Sequence, residues 1–143
     1  MAPKRIPLAS AIAASLVVLA VQTACMPPRA AESVVKLDSA QMVSGAAAYT
    51  EHCGSCHGEG LAGLNHAPSL KGTAFWKSWA DKPARALYSR IISTMPLSGP
   101  GTLEPKVVLD ITVFILSANK QSIPEAGYKS ADELNGVPIR RID

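Results

Sequence analysis

Two cysteines and a histidine, in the run Cys53-Gly54-Ser55-Cys56-His57, are the residues whose types and spacing point most directly to chemistry. Thiols three positions apart can add to the two vinyl groups on one edge of a porphyrin. The imidazole that follows is then tethered close enough to bind the iron. The run therefore predicts one covalently attached haem c, held through Cys53 and Cys56, with His57 as the fifth ligand of the iron.

The C-x-x-C pair has two other interpretations. It occurs in thiol redox motifs and as half of a zinc site, in which His52, His57 or His66 would complete the metal shell. A zinc site usually has a second ligand pair, but the one remaining cysteine, Cys25, lies in a different kind of segment. A thioredoxin-like site needs a strand before the motif. Here the motif ends a helical pattern and glycines follow it, so the context favours haem.

The sixth position of such an iron needs a ligand, and Met95 is the best candidate. A soft thioether favours ferrous iron, so a histidine and methionine pair raises the reduction potential relative to two imidazoles. Met95 is the one methionine after the motif, and at Met95-Pro96 a helical pattern breaks into a loop. Two alternatives stay open: Met95 as a core residue that ends a helix, and His66 as the ligand, although it is only nine residues from His57.

A first helical pattern leads into the motif. Asp38 followed by Gln41 resembles a capping arrangement and predicts the start of the helix. Gly45 lies inside this pattern at a cost of about 1 kcal/mol relative to alanine, which indicates that another backbone passes close to it; a tolerated glycine without a structural role is the alternative. The face that delivers Cys53 to the haem edge follows a helical period. It consists of Met42, Ala46, Tyr49 and Cys53.

Two further helices are predicted after the motif. One runs from Pro83, which suits a first turn, to Met95, where Pro96 stops the pattern. The other runs from Pro105 to about Asn119 with one apolar stripe. No segment alternates as a strand does. The predicted fold class is therefore all-α, with helices packed around one haem and long loops that wrap it.

The N-terminal residues have the layout of a secretory signal. Lys4 and Arg5 precede an apolar run from Leu8 to Val21, whose 14 residues are fewer than the roughly 20 that span a bilayer. Haem attachment of this kind takes place outside the cytoplasm. The predicted location is therefore the periplasm.

The rest of the chain has no internal repeat and one haem motif, so it predicts a single domain. We assign residues 1–24 to the signal peptide and residues 25–37, which contain prolines and few large apolar groups, to a flexible tether. The domain covers residues 38–143. Its tail, from about residue 121, is expected to be irregular and to wrap the domain surface, because it has no periodic signal.

Cys25 stands where a bacterial lipoprotein carries its acylated cysteine. Thr23 and Ala24 suit such a site, although Gln22 replaces the usual apolar residue. A lipidated Cys25 would attach the protein to a membrane stably. The alternative is a spare cysteine beside the cleavage site and a soluble mature protein.

The net charge of +3 belongs largely to the export segment. Cleavage before Cys25 removes two basic residues and no acidic one, which leaves 12 basic and 11 acidic residues, a net charge of +1. We expect no nucleic-acid partner. One basic stretch could steer an acidic redox partner, although a solvated helix face explains most of it. It contains Lys71, Lys77, Lys82, Arg85 and Arg90.

Taken together, these residues resemble class I cytochrome c over most of residues 39–120. The resemblance implies helices packed around one haem, with the first and last helices crossing near Gly45, Tyr49 and Phe114. It also implies His57 as the proximal ligand, Met95 as the distal ligand, and the Pro68 carbonyl as an acceptor for the ring N–H of His57. The motifs that carry it are Gly45, Tyr49, the Cys53–Gly58 run, the Ala67–Gly72 loop, Met95-Pro96 and the last apolar helix.

A narrower resemblance concerns partners. Residues 94–103 and 115–119 are similar to small cytochromes that work with periplasmic quinoprotein dehydrogenases of the alcohol or sugar type, although Lys120 departs from the glycine common in that pattern. Phe75, Trp76 and Trp79 are expected to line the pocket. Trp79 could donate to a haem propionate, and an apolar wall is the alternative role.

The expected function is one-electron transfer without catalysis of a substrate reaction. The carrier would accept electrons from a dehydrogenase and pass them to a respiratory acceptor, a terminal oxidase or another cytochrome. One alternative is a fixed relay subunit of a dehydrogenase or oxidase complex. The other is a haem sensor or peroxidatic enzyme, which requires that Met95 does not bind the iron.

Overall fold

Helices make up the regular structure of the computed structural model, which describes residues 39–64 and 67–142. Within these residues, extended structure is limited to an isolated bridge between Pro83 and Pro138, so the all-α fold class is confirmed. None of their helices has the length and apolar character needed to cross a membrane. The helices are α1 (Ala40–His52), α2 (Gly54–His57), α3 (Gly72–Trp79), α4 (Ala84–Thr94), α5 (Pro105–Ala118) and a 3₁₀ helix (Ala131–Gly136).

The cap of α1 differs from the predicted one. Ser39 is the N-cap, and its hydroxyl accepts a hydrogen bond from the backbone N–H of Met42 at 3.3 Å. Asp38 lies outside the described residues. The Gln41 side chain does not close a capping box, because its Nε2 donates to Asp110 Oδ1 on α5 at 2.9 Å. The capping prediction was therefore wrong by one residue, and Gln41 links two helices instead.

The crossing of α1 and α5 occurs at Gly45. A Cβ placed on this residue would lie 2.9 Å from the Cβ of Phe114 and closer still to the backbone carbonyl of Asp110. One turn further along α1, the ring of Tyr49 packs on that of Phe114 with the centroids 5.3 Å apart. The close backbone approach predicted from Gly45 is confirmed, and it holds the helix that leads into Cys53.

We expect Gly45→Ala to destabilise the protein by about 1–3 kcal/mol, measured as the free energy of unfolding in urea. A methyl group at this position overpacks the crossing, and this outweighs the ~1 kcal/mol that alanine gains in a helix interior. Gly136→Ala is the matched control, because a Cβ there meets no atom within 4 Å. Equal stability of the Gly45→Ala protein and wild type would contradict the packing argument.

Helix α5 is the centre of the fold. The sequence predicted its bounds, from Pro105 to about Asn119, but assigned it a single apolar stripe. The structure instead buries every residue from Val108 to Leu116, including Asp110 and Thr112. The polar residues there are satisfied: Lys106 Nζ pairs with Asp110 Oδ2 at 2.6 Å, and the Thr112 hydroxyl donates to a backbone carbonyl of its own helix. The predicted apolar stripe covered too little of the helix surface, because other elements pack against α5 on several sides.

Helix α4 carries Met95 at its end. Pro83, predicted in the first turn, is the N-cap, and Met95 is the C-cap, with its N–H donating to the Ile91 carbonyl at 2.9 Å. Leu87 and Ile91 are buried in the core. The helix therefore starts one residue after Pro83 and ends two residues before Pro96, each bound within one residue of the predicted one.

The C-terminal tail is docked more regularly than the sequence indicated. Its backbone exchanges two hydrogen bonds of 2.9 Å with the turn before α4, from Asp81 N–H to Ile139 O and from Ile139 N–H to Lys82 O. Leu134, in the 3₁₀ helix, and Ile139 are completely buried. The expectation of an irregular tail is thus corrected for Ala131–Gly136, because burial of Leu134 stabilises a helical turn that has no periodic sequence signal.

Helix α3 was not predicted. It has only eight residues and no side-chain cap, so its sequence carries no start signal. Phe75 on this helix is 1% exposed and meets the ring of Trp76 edge to face at 5.2 Å. Burial of one aromatic side chain anchors the helix in the segment between the haem motif and α4.

Candidate functional site

A break between two helices presents the cysteines. Cys53 is the C-cap of α1, and its N–H donates to Tyr49 O at 2.8 Å. Its φ of −126° is not helical, so the chain breaks here before the single turn of α2 begins. Cys53 is half-buried, Cys56 is exposed, and both thiols are free. The break therefore leaves two unpaired thiols on consecutive turns, one against the core and one at the surface.

The ring of His57 has a defined orientation. Its Nδ1 lies 2.8 Å from the backbone carbonyl oxygen of Pro68. A carbonyl can only accept, so Nδ1 carries the proton and donates it. In the neutral imidazole, Nε2 then keeps its lone pair and is the nitrogen that can bind a metal. The Pro68 loop thus selects the tautomer that an iron ligand needs.

Two contacts that the sequence did not reveal hold the loop after His57. The buried hydroxyl of Tyr49 donates to the Gly58 carbonyl at 2.7 Å. Gly63, at φ +79°, leaves no room for a side chain, because a Cβ there would lie 2.6 Å from Ala67 O and 2.8 Å from Ser69 N. The glycines after the motif are the sequence signal that could have indicated this tight loop.

Burial also governs the ionisation of the groups beside the motif. It raises the pKa of the Cys53 thiol to about 11, with the nearby Cys56 thiol as a smaller cause. Burial raises the pKa of Tyr49 well above its usual value, and the thiolate that Cys53 forms in alkaline solution adds to this effect. Both groups are therefore uncharged near neutral pH, and the Tyr49 hydroxyl remains a donor to Gly58.

The other predicted site residues lie on other elements. Met95 is half-buried at the end of α4 and packs against the core. Trp79 ends α3, is also half-buried, and has Lys82 Nζ 5.5 Å from its ring centroid. His66, the competing ligand, lies outside the described residues. The structure thus places a thioether where α4 ends, and a half-buried indole ring with a cation beside it where α3 ends.

The alternatives to haem can be compared with this geometry. In the described residues before the motif, 39–52, the chain forms helix α1 and no strand, whereas a thioredoxin-like site needs a strand there. In residues 39–64 and 67–142, no group of three or more His, Cys, Asp or Glu side chains could hold a metal ion. The donors instead suit haem: two free thiols, an imidazole Nε2 and a thioether. Half-buried apolar side chains that pack against the core leave apolar surface that a porphyrin would cover; they include Leu70, Trp76, Ile92 and Leu103.

Comparisons with known proteins agree with this assignment. The family model described as "Cytochrome C oxidase, cbb3-type, subunit III" matches residues 40–115, just over half of the chain. Among solved structures, the chain is similar to the sulfane dehydrogenase SoxCD from Paracoccus pantotrophus, at 22% identity and a TM-score of 0.55. This similarity covers 68% of this chain and 52% of that chain, so the protein spans about half the length of the solved one. A comparison with curated proteins found no match.

The family carries its haem covalently, and Cys53 and Cys56 fit the C-x-x-C-H attachment motif. The likeness to SoxCD bears on the fold alone, which is helical in the described residues. The chain belongs to the family of the cbb3-type cytochrome c oxidase subunit III model and is a monohaem class I c-type cytochrome that binds haem c.

Proposed function

We propose that this cytochrome is a periplasmic one-electron carrier whose haem is bound axially by His57 and Met95. The observation that carries the proposal is the 2.8 Å hydrogen bond between His57 Nδ1 and Pro68 O. It leaves Nε2 as the metal-binding nitrogen, directly after two free thiols. Met95, half-buried at the end of α4, supplies a second donor of the type that completes such a site.

The bound haem supplies reversible one-electron chemistry at iron. The protein's own residues set the conditions for it. The Pro68 carbonyl increases the basicity of His57 and fixes its ring, whereas the soft sulfur of Met95 favours ferrous iron. If His57 and Met95 both hold the iron, no coordination position would be left for a substrate. This is why we assign electron transfer and no substrate reaction to the site.

Apolar side chains near the site act in the same direction as Met95. Ile91 and Phe114 are 7% and 6% exposed, and Leu70 packs half-buried against the core. Low polarity disfavours the extra positive charge of ferric iron, which raises the reduction potential. A raised reduction potential suits a protein that accepts electrons from a donor of lower potential.

We further propose a dehydrogenase as electron donor and a respiratory oxidase or another cytochrome as acceptor. The matching family model is that of an oxidase subunit, and the similar solved structure is that of a sulfane dehydrogenase. Exposed Lys71 and Lys77 are available to steer an acidic partner. Arg85 is less available, because it pairs with Asp132 at 3.0 Å.

The proposed location rests on the sequence. The apolar run and its basic start support export, and Cys25 supports attachment to a membrane through a lipid. Both lie outside the described residues. Mass spectrometry of the mature N-terminus separates a lipidated Cys25 from an unmodified one.

The test of the carrier function is visible absorption of the matured protein, oxidised and then reduced, with and without carbon monoxide. His57 and Met95 ligation predicts a low-spin spectrum, a weak far-red band in the ferric protein and no change with carbon monoxide. High-spin iron that binds carbon monoxide would overturn the proposal and identify a sensor or peroxidatic site.

A fixed relay subunit is the second candidate, because the family description names a subunit of a complex. Purification from native membranes separates it from the carrier. A carrier docks through a small, transient surface and is recovered alone. A relay subunit is recovered with its complex in stoichiometric yield.

A further inference from the structure

Asn119 is a buried amide that connects the end of α5 to the loop beside the haem motif. It is 3% exposed. Its Nδ2 donates to Leu70 O at 2.8 Å and to Ile115 O at 2.9 Å, and its Oδ1 accepts from the Gly72 N–H at 3.2 Å. One bond lies within the helix, and two reach 47 and 49 residues back along the chain. Asn119 is therefore more than a helix cap.

The two longer bonds fix the segment that contains Pro68. Leu70 is held on its other side as well, where its N–H donates to Leu61 O at 2.9 Å. The Ser69 hydroxyl donates to the same Leu61 carbonyl at 3.0 Å. The backbone from Pro68 to Gly72 is thus tied between the loop after His57 and the end of α5. The carbonyl that accepts from His57 lies at the start of this segment.

We propose that Asn119 is a positioning residue for the proximal ligand: by anchoring Leu70 and Gly72 it holds the Pro68 carbonyl at His57 Nδ1 and so tunes the reduction potential. The inference rests on His57 as an iron ligand, which is part of the function proposed above. No other side chain of α5 or its C-terminal end bonds to residues 67–72 in the described part of the chain. Asn119 therefore connects the end of α5 to the segment from Pro68 to Gly72.

The direction of the effect follows from ligand basicity. Donation from His57 Nδ1 to Pro68 O makes the imidazole a stronger donor to the iron, which stabilises the ferric state. Without the Asn119 bonds, the Pro68 carbonyl gains freedom to move away. The imidazole then becomes a weaker donor, and the reduction potential rises.

Two variants of different severity test this. Asn119→Leu keeps the approximate size of the side chain and removes all three bonds. Asn119→Ser is milder, because its hydroxyl can still bond to the Ile115 carbonyl four residues back but is too short for Leu70 and Gly72. The serine variant keeps the proposal testable if the leucine variant does not fold.

Gln121 offers a matched control at the same helix end. Its Nε2 donates to Asn119 O at 3.0 Å and to Arg140 O at 2.8 Å, and its Oε1 accepts from Arg140 N–H at 2.8 Å. Gln121→Met therefore also loses three side-chain hydrogen bonds. Two of them hold Arg140 of the tail, the third ends on the Asn119 carbonyl, and none reaches the Pro68 loop. A general loss of stability affects this control and the Asn119 variants alike.

The readouts are the reduction potential and the NMR-measured exchange rate of the His57 Nδ1 proton with solvent. We expect both Asn119 variants to favour the ferrous state about threefold to tenfold over wild type, where tenfold is about 59 mV for one electron. We expect proton exchange to accelerate about tenfold or more, with the Gln121→Met protein like wild type in both.

Two results would overturn the inference. One is a lower melting temperature of the Asn119 variants with unchanged potential and proton exchange, which would reduce Asn119 to a structural role. The other is an equal change in Gln121→Met. Either result counts against the inference when the wild-type protein has the low-spin spectrum expected of His57 ligation. A wild-type spectrum without His57 ligation would instead refute the proposed function, so the two failures are distinguishable.

Discussion

Replacing both Cys53 and Cys56 with alanine is expected to abolish covalent haem attachment. The structure leaves both thiols free on consecutive turns beside His57, and each forms one bond to the porphyrin edge. Without them, haem would be held only by the proposed iron ligands and by apolar packing, and denaturation removes both. Haem staining after denaturing electrophoresis, with the pyridine haemochrome spectrum, measures the result.

Cys25→Ala is the control for the cysteine pair. It removes a thiol that the sequence places outside the haem motif, so covalent haem should remain at the wild-type level. Single replacements of Cys53 or Cys56 should each leave one bond and shift the haemochrome band to an intermediate position. Haem that stays with the denatured double variant would refute the attachment assignment.

The same double variant should also be less stable than the haem-loaded protein. A domain of this size buries only a modest core by itself, and Leu70, Trp76, Trp79 and Met95 are only half-buried by protein atoms. Covering such apolar surface contributes about 25 cal/mol per Å². We therefore expect a lower melting temperature by circular dichroism, alongside the loss of haem.

The residues that bind haem were easier to predict from the sequence than the contacts that hold them in place. The C-x-x-C-H run is local, so neighbouring residues alone indicated haem. Helices α1, α4 and α5 were also predictable, because prolines and apolar periodicity mark their bounds. Gly45 indicated a close approach because a helix interior accepts glycine only at a cost. In each case the signal lies within a few residues of the feature.

The remaining features depend on contacts between distant parts of the chain. Leu134 is completely buried against the fold, yet nothing in its neighbourhood predicts a helical turn. Arg85, which belongs to a basic stretch in sequence, pairs with Asp132 of the tail. Asn119 looked like a helix end, and its bonds to Leu70 and Gly72 join segments 47 and 49 residues apart. Only the folded chain shows such partners.

The replacement Met95→Ala is expected to keep covalent haem while changing its ligation. Alanine has no donor atom, so the iron loses its sixth side-chain ligand, becomes high-spin and binds carbon monoxide. Loss of the soft thioether also removes a ligand that favours ferrous iron. We expect the potential to fall by an amount on the order of 0.1–0.3 V, within the ~0.8 V that axial ligands span.

Two further variants separate ligation from packing. Met42 is 4% exposed on α1 and is distant in sequence from the loop after α4. Met42→Ala should therefore lower the free energy of unfolding by about 2–5 kcal/mol. It should keep the far-red ferric band. Met95→His should restore a low-spin spectrum without that band, because a second imidazole replaces the sulfur. An unchanged spectrum and potential in Met95→Ala would exclude Met95 as the ligand and return His66 or an open position to consideration.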